Sequence, residues 1–408
     1  MTSSPCRPPY EPATALVLER IKAAGGLPPL NDATLASRRI PVAQRRAAYL
    51  AACPDVRLHE EALTRDDGTT MALTVVLPPD GVVQPGAPLL LSIHGGGRVI
   101  GCRFDDLAAP TAWARRFGGV VLAPEYRLAP EYPAPAAGED CLAALTWAAE
   151  HAADYGADPG RIVVVGPSGG GGLAACLALA ARDHGGPRAL GYLLDYPMLD
   201  DRTGLAGPDG AVEPPSARQY PDDGLWPAHW NNWAWEQILP GRRGGAAVSA
   251  YEAAGRAVDR PSALAGLPPV FLSVAAAETF RDEVVAFASA LWRDGGDCEL
   301  HVWPGATHAM EYVNVTWLRD GLEAARLSWF TRLLAPEDPS VNLARVLGEG
   351  TFPIITAAAP DSGAGSELNG ELDDELGRRS RNFYRSRYVT STDLGEGARG
   401  EAAGVRSG

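Results

Sequence analysis

A single serine lies in a glycine-rich stretch, VVVGPSGGGGLAA, that begins with a run of valines. The five residues that start at Gly166 fit the pattern GxSxG, with a β-branched run before them and a helix-forming run after them. In that setting a tight strand-to-helix turn strains the backbone at the serine and projects its hydroxyl group from the sheet. The stretch therefore predicts Ser168 as a nucleophile for acyl transfer.

A second glycine-rich segment, SIHGGG, ends the third predicted strand. Attack of a serine on an acyl carbon creates a tetrahedral oxyanion, which needs backbone N–H donors that no side chain obstructs. We expect the N–H groups of Gly95 and Gly96, together with that of Gly169 after the serine, to form this oxyanion hole. The alternative is an ordinary glycine-rich turn with His94 as a surface or supporting residue.

A serine nucleophile also requires a histidine base and an acid that orients the histidine. His308 follows the last predicted strand, where the chain returns to the carboxyl edge of the sheet. Glu278 lies nearest the end of the preceding strand and completes the chain order serine, acid, histidine. Asp282 is the second choice for the acid. Asp282 and Glu283 are otherwise interpreted as first-turn charges that complement a helix dipole.

The glycines around the serine also allow a dinucleotide-binding loop. Gly169, Gly171 and Ala174 fit the looser spacing GxGxxA, and Asp195 ends the following strand at about the separation expected for a ribose contact. The position of the motif after the fifth predicted strand, rather than the first, disfavours this interpretation. A Walker-type phosphate loop is excluded because no lysine follows the glycines.

Eight short β-branched runs predict the strands that position these residues. They lie at 56–63, 70–77, 88–93, 119–123, 161–166, 190–195, 269–274 and 299–303. Amphipathic runs between the later strands predict helices at 105–117, 137–153, 170–183, 282–294 and 319–334. This alternation indicates an α/β fold with a mostly parallel sheet, helices on both faces and a hairpin only at the first two strands.

We predict three parts in the chain. Residues 1–55 have helix-forming composition, with Asp32 as an N-cap, and form an N-terminal helical cap segment. Residues 56–334 form the catalytic domain, in which 203–262 is an insertion, or cap, over the functional edge of the sheet. Residues 335–408 are rich in Gly, Ala, Ser, Glu and Arg with weak periodicity, which predicts a largely disordered tail.

Three tryptophans of the insertion, Trp226, Trp230 and Trp233, fall at helical spacing. A hydrophobic packing face is the first interpretation of this pattern. The wall of a substrate pocket is the second.

Composition limits the partners and the compartment. The net charge of −14 leaves no broad basic field for nucleic acid or for an anionic membrane surface. The six cysteines are scattered without metal-ligand spacing, so we expect buried free thiols and no metal. No stretch has the length of a membrane span, and the amino terminus lacks the apolar core of a secretory signal. These features predict a cytoplasmic protein that needs no cofactor; a homodimer stays open.

The motifs together resemble the hormone-sensitive-lipase-like branch of the α/β-hydrolases, the esterases and lipases with an HGGG motif upstream of a GDSAG-type elbow. The stretches YRLAPE from Tyr126 and YPMLDDR from Tyr196 are also similar to that branch. The likeness covers about residues 60–334. It implies an α/β-hydrolase fold with Ser168 as nucleophile, His308 as base and Glu278 as the orienting acid.

The resemblance further implies a serine carboxylic-ester hydrolase that acts through an acyl-enzyme on a small to medium ester. A lactonase, a deacetylase or an acyltransferase would use the same triad, because only the fate of the acyl-enzyme differs. A non-catalytic homologue that binds a small molecule is the alternative from another class.

The sequence departs from the pattern of this branch at three places. Pro167 and Gly169 stand where the branch has Asp and Ala beside the serine. Arg98 follows the glycines where a large apolar residue is common, and Ala309 and Met310 replace Gly and Phe after the histidine.

Overall fold

The structure is a computed structural model that describes residues 6–65, 67–206, 212–313 and 315–334. These residues belong to one unit of tertiary contacts. The tail predicted to be disordered, 335–408, lies outside the described residues.

A sheet of eight strands forms the centre of the molecule, in the order β1-β2-β4-β3-β5-β6-β9-β10. Strand β2 runs antiparallel to β1 and β4, and all other neighbours are parallel, so the predicted mostly parallel eight-stranded sheet is confirmed. Strands β7 and β8 form a separate antiparallel ribbon that the sequence patterns did not predict. The strands are β1 (Arg57–Thr64), β2 (Thr70–Leu77), β3 (Ala87–Ser92), β4 (Val120–Pro124), β5 (Ala157–Pro167), β6 (Gly191–Asp195), β7 (Leu205–Ala206), β8 (Val212–Glu213), β9 (Val270–Ala275) and β10 (Cys298–Trp303).

The central strands are buried on both faces. Leu89 of β3 packs in one core and Leu90 in the other. Val164 and Val163 of β5 divide in the same way. Because both faces are covered, these strands need continuous apolar runs rather than alternation, which is why the valine run precedes the serine motif.

Helices cover the two faces of the sheet. Helices α5, α6 and α9 pack in one core, and α4 with the C-terminal half of α10 packs in the other. Within the described part of the chain, no helix is long and apolar enough to cross a bilayer. The helices are α1 (Pro12–Ala23), α2 (Leu35–Arg38), α3 (Val42–Ala52), α4 (Ala108–Arg116), α5 (Ala136–His151), α6 (Ser168–Asp183), α7 (Pro215–Gln219), α8 (Ala228–Ile238), α9 (Arg281–Arg293) and α10 (Thr316–Leu334).

The N-terminal segment contacts the insertion and the loop after β10. Tyr220 donates a hydrogen bond from Oη to the carbonyl oxygen of Pro8 over 2.7 Å, and the N–H of Glu11 donates to the carbonyl oxygen of Gly305 over 2.9 Å. Asp32 is not the helix N-cap that was expected. Its Oδ1 accepts a hydrogen bond from Nε1 of Trp233 over 2.9 Å, which ties this segment to the insertion.

Candidate active site

Ser168 lies at the sharp turn between β5 and α6. Its φ angle is +53°, in the left-handed region that residues other than glycine rarely occupy. Such strain persists only where the surrounding structure holds the backbone, and it is frequent at functional sites. The serine is 6% exposed.

The glycines after Ser168 let α6 begin directly against neighbouring backbone. A Cβ atom on Gly170 would lie 2.0 Å from the carbonyl oxygen of Ile93, and one on Gly172 would lie 1.9 Å from the carbonyl oxygen of Met198. A side chain at either position would therefore displace the helix. The glycine run serves close packing around the serine rather than the binding of a phosphate group.

Ser168, His308 and Glu278 form a chain of hydrogen bonds. Nε2 of His308 lies 3.0 Å from Oγ of Ser168, and Nδ1 of His308 lies 2.5 Å from Oε2 of Glu278. The side chains of His308 and Glu278 are 6% and 1% exposed. An imidazole protonated at Nδ1 donates to the carboxylate and leaves the lone pair of Nε2 to accept the serine proton. The arrangement can activate the serine as a nucleophile.

The backbone holds Glu278 in place, whereas Asp282 is directed elsewhere. The N–H of Ala275 donates to Oε1 of Glu278 over 2.7 Å, which leaves Oε2 for the histidine. Asp282 accepts from the N–H of Ser216 over 2.8 Å and pairs with Arg281. The structure therefore does not bring the second-choice acid to the histidine.

Glu283 lies in the first turn of α9, as the sequence indicated, but its side chain is directed into the interior. It is buried and accepts hydrogen bonds from the N–H of Leu199, over 2.7 Å, and from the hydroxyl group of Thr203. Burial raises the pKa of Glu283 well above its ordinary value. The side chain anchors the loop that follows β6.

One of the three N–H groups expected to form the oxyanion hole, that of Gly95, is already hydrogen-bonded. The N–H of Gly95 donates to Oδ2 of Asp106 over 2.9 Å, so it is not available to an oxyanion, contrary to the prediction. The N–H groups of Gly96 and Gly97 have no acceptor among the described residues. A Cβ atom on Gly169 would lie 2.7 Å from the nitrogen of Gly97, which places the first turn of α6 beside this loop. Gly96, Gly97 and Gly169 are therefore the candidate donors.

His94 contacts the loop of Gly95, Gly96 and Gly97 and is packed against Tyr126 rather than against the serine. Its ring stacks on Tyr126 with centroids 4.1 Å apart, and its Nδ1 lies 2.8 Å from the carbonyl oxygen of Gly95. Oη of Tyr126 donates to the carbonyl oxygen of His94 over 2.8 Å. Burial raises the pKa of Tyr126 well above its ordinary value, so the hydroxyl group stays protonated as a donor.

Aromatic rings surround His308. Tyr196 and Phe280 meet its ring edge-on, with centroids 4.7 and 5.2 Å away, and Trp226 lies 6.1 Å away. Trp226 precedes α8, so the inference that all three tryptophans lie on one helix is wrong. A Cβ atom on Gly97 would lie 2.5 Å from the Trp226 ring. Trp226 therefore forms a wall between the oxyanion loop and the histidine.

The other two tryptophans lie farther from the serine. Trp230 meets Trp226 edge-on at 5.9 Å and lines a cavity of about 780 Å³ between α1 and the insertion. Trp233 donates to Asp32, as described above. Trp226 does not line this cavity but has ring contacts with both Trp230 and His308.

A buried ionic network lies on the side of His308 that Tyr196 contacts. Asp195 pairs with Arg326 over 2.6 Å and accepts from Oγ of Ser273 over 2.6 Å. Arg326 also pairs with Glu311, which accepts from Oη of Tyr196 over 2.7 Å. Asp195 is thus engaged within the protein rather than free for a ribose, and the dinucleotide interpretation is wrong.

Arg98, which departs from the family pattern, links the oxyanion loop to the insertion. Its Nη1 donates to the carbonyl oxygen of Glu252 over 2.7 Å, and its guanidinium lies 5.1 Å from the Trp235 ring. The residue is 3% exposed. The long side chain therefore fills an interior position that an apolar residue would otherwise fill.

Other reactive side chains lie outside this arrangement. His301 stacks on Trp303, and both residues lie in β10. The cysteines are free, but only Cys102, Cys141 and Cys176 are buried, so the expectation of buried thiols holds for half of them. Burial raises the pKa of Cys102 to about 11 and keeps its thiol protonated at neutral pH. Among the residues that the structure describes, no group of three or more His, Cys, Asp or Glu side chains is arranged to hold a metal ion.

A model of a family described as having the alpha/beta hydrolase fold matches residues 90–312, from β3 through the histidine loop. The chain belongs to this family. A carboxylesterase of Mycobacterium tuberculosis, NlhH, is 35% identical over 265 residues, which are 64% of this chain and 77% of that protein. The hormone-sensitive lipase of Bos taurus is 37% identical over 109 residues, 27% of this chain and 14% of that protein. The crystal structure of a bacterial heroin esterase superposes with a TM-score of 0.68 at 33% identity, covering 80% of this chain and 98% of that one.

These similarities confirm the fold and the family that the sequence motifs indicated. The α/β-hydrolase is a member of the hormone-sensitive-lipase-like branch and is a carboxylic-ester hydrolase of the serine type. Asp106 and Gly97 are the residues at the site that sequence reasoning missed, whereas Trp226 was already named there as part of a possible pocket wall. The third glycine of HGGG was a signal for Gly97, and Asp106 had no signal in the sequence.

Proposed function

We propose that this α/β-hydrolase cleaves esters of short acyl chains through an acyl-enzyme on Ser168. Oγ of Ser168 bonds to the acyl carbon while its proton moves to Nε2 of His308 and the carbonyl electrons move onto oxygen. Glu278 holds the imidazole and stabilises its positive charge. Collapse of the intermediate expels the alcohol, which takes the proton from Nε2. Water then attacks the acyl-enzyme by the same steps and releases the acid.

The observation that carries this proposal is the hydrogen-bonded chain from Ser168 through His308 to Glu278, with distances of 3.0 and 2.5 Å. A homologue that only binds ligands has no use for a buried base poised on a strained serine. The hydrogen bonds from Ser168 through His308 to Glu278 therefore disfavour a non-catalytic binding function.

The N–H groups of Gly96, Gly97 and Gly169 stabilise the oxyanion in this proposal. Backbone donors fixed before the reaction need no rearrangement when negative charge develops, which makes them effective in a site that excludes water. Ser168 and His308 are 6% and 5% exposed, so solvent screening of the developing charge is weak.

The preference for short acyl chains rests on Trp226. Its ring lies against Gly97 on one side and near His308 on the other, which restricts the space beside the nucleophile. Trp226 meets Trp230, which lines the cavity of about 780 Å³, so a long acyl chain on this side of Ser168 would have to displace an indole ring to reach that cavity.

Hydrolysis of p-nitrophenyl esters from acetate to decanoate tests the proposal. We expect turnover that is fastest at the short end and falls at least about a thousandfold in Ser168→Ala. An organophosphate should label the wild type once per chain and leave Ser168→Ala unlabelled. Ser289→Ala, which removes an exposed serine of α9, should behave as the wild type. A wild type without turnover or label, or a labelled Ser168→Ala, contradicts the proposal.

A further inference from the structure

We infer that Asp106 is a positioning residue of the oxyanion loop, which it fixes through Gly95 and links to the histidine loop through Tyr312. The inference rests on the proposed function, because it concerns the same reaction. Asp106 touches neither the serine nor the histidine by a hydrogen bond, so its effect on catalysis is indirect.

The first contact is made at the start of the oxyanion loop. The N–H of Gly95 donates to Oδ2 of Asp106 over 2.9 Å. A Cβ atom on Gly95 would lie 3.1 Å from Oδ2 of Asp106 and 3.5 Å from Cβ of Ser168, so Gly95 lies between the carboxylate and the nucleophile. This bond orients the His94–Gly95 peptide, which precedes the Gly95–Gly96 peptide whose N–H is the first of the proposed donors.

The second contact comes from the loop that carries the base. Oη of Tyr312 donates to Oδ1 of Asp106 over 2.5 Å. Tyr312 lies in the 3-10 turn Met310–Val313, which begins two residues after His308. One carboxylate therefore receives a donor from each of the two loops that flank the serine, and the two loops are separated by about two hundred residues in the chain.

The backbone at Asp106 is itself constrained. Its φ angle is +57°, a conformation that aspartate adopts more readily than most residues but that still carries strain. Both carboxylate oxygens are engaged, so the side chain has one orientation that satisfies both contacts. The placement of Gly96 and Gly97 before the oxyanion forms depends on that orientation, because preorganised donors lose their value when they are free to move.

The neighbouring residue Asp105 offers a matched control. It accepts from the N–H of Cys102 over 3.0 Å and pairs with Arg45 over 2.9 Å, with no contact to Gly95. Removal of this carboxylate changes the charge of the segment equally and leaves the link between the two loops intact.

The experiment compares Asp106→Ala, Asp106→Asn, Tyr312→Phe and Asp105→Ala in the full chain. It measures kcat and KM on p-nitrophenyl acetate and the inhibition constant of a short trifluoromethyl ketone, which adds to serine as a transition-state analogue. We expect Asp106→Ala to lower kcat by at least about tenfold, less than the loss of a whole oxyanion donor, with KM changed by no more than about twofold. The inhibition constant should rise by the same factor as kcat falls.

The other variants divide the effect. Asp106→Asn keeps an oxygen for Gly95 and should retain more activity than Asp106→Ala. Tyr312→Phe should lower kcat by about threefold in the same pattern. Asp105→Ala should change kcat and the inhibition constant by less than about twofold.

Three results overturn the inference. One is a kcat in Asp106→Ala and Tyr312→Phe that stays within about twofold of the wild type. The second is a loss of kcat without any rise in the inhibition constant of the ketone. The third is an equal loss of kcat in Asp105→Ala. If Asp106→Ala does not fold, Asp106→Asn and Tyr312→Phe decide by the same criteria. A wild type that lacks esterase activity refutes the proposed function instead, which separates the two failures.

Discussion

Replacement of Glu278 by glutamine is the most direct test of how the acid controls His308. The N–H of Ala275 donates to Oε1 of Glu278 over 2.7 Å, so the amide oxygen of Glu278→Gln is held there and its NH₂ group faces Nδ1 of His308. An NH₂ group requires an acceptor, which selects the tautomer with the proton on Nε2. That tautomer donates to Ser168 and cannot accept its proton.

The size of the effect follows from the charge that is lost. A carboxylate and an imidazolium with charge centres about 4 Å apart attract by about 4 kcal/mol at an effective dielectric constant near 20. This corresponds to a loss of about a thousandfold in kcat/KM, and the wrong tautomer adds to it. The glutamine has the shape of the glutamate, so the melting temperature should change little.

The assay is hydrolysis of p-nitrophenyl acetate with a melting curve for each variant. Asp282→Asn is the matched control, because Asp282 contacts Ser216 and Arg281 rather than His308, and it should keep kcat/KM within about twofold. The reasoning is refuted if Glu278→Gln keeps more than about a tenth of the activity, or if Asp282→Asn is the inactive variant.

Two further predictions concern the wall of the site and a buried acid. Trp226→Ala should raise the ratio of kcat/KM for p-nitrophenyl octanoate to kcat/KM for p-nitrophenyl acetate, because loss of the indole opens the space beside Ser168 toward the cavity that Trp230 lines. An unchanged ratio would show that the indole does not limit the length of the acyl chain. The raised pKa of Glu283 means that the folded state binds more protons than the unfolded state. The stability of the wild type should therefore fall as the pH rises from the pKa that Glu283 has in the unfolded state toward the pKa that it has in the folded state. Glu283→Gln removes this pH dependence, so the melting temperature of the variant relative to that of the wild type should rise between pH 5 and pH 8. A difference in melting temperature that stays constant over this range would contradict a raised pKa of Glu283.

The strands and the order of Ser168, Glu278 and His308 along the chain could be predicted, because each depends on a local sequence pattern. Buried parallel strands require continuous apolar runs, and seven of the eight predicted strands begin and end within one residue of those observed. The serine turn required small residues at fixed positions around Ser168. His308 and Glu278 follow adjacent parallel strands, β10 and β9, whose carboxyl ends meet at one edge of the sheet.

The errors concern contacts that no local pattern encodes. Asp282 and Glu283 have the same spacing from β9 whether they face solvent or the interior, and only the packing of the loop after β6 shows that Glu283 is buried. Trp226 looked like part of a helix because its spacing from Trp230 fits one, but Pro227 precedes the first residue of α8 and separates the two.

From the sequence alone, the fold class and the three side chains that meet at the site, Ser168, Glu278 and His308, could be predicted, because periodicity and turn chemistry act over a few residues. Which glycine N–H groups of the loop are already hydrogen-bonded within the described residues was visible only in the tertiary structure. Gly95 and Gly97 are equivalent in the sequence HGGG, and the carboxylate of Asp106, eleven residues away, occupies one of them. A hydrogen bond between side chain and backbone depends on where two loops meet in space, and that distance is set by the packing of the whole sheet.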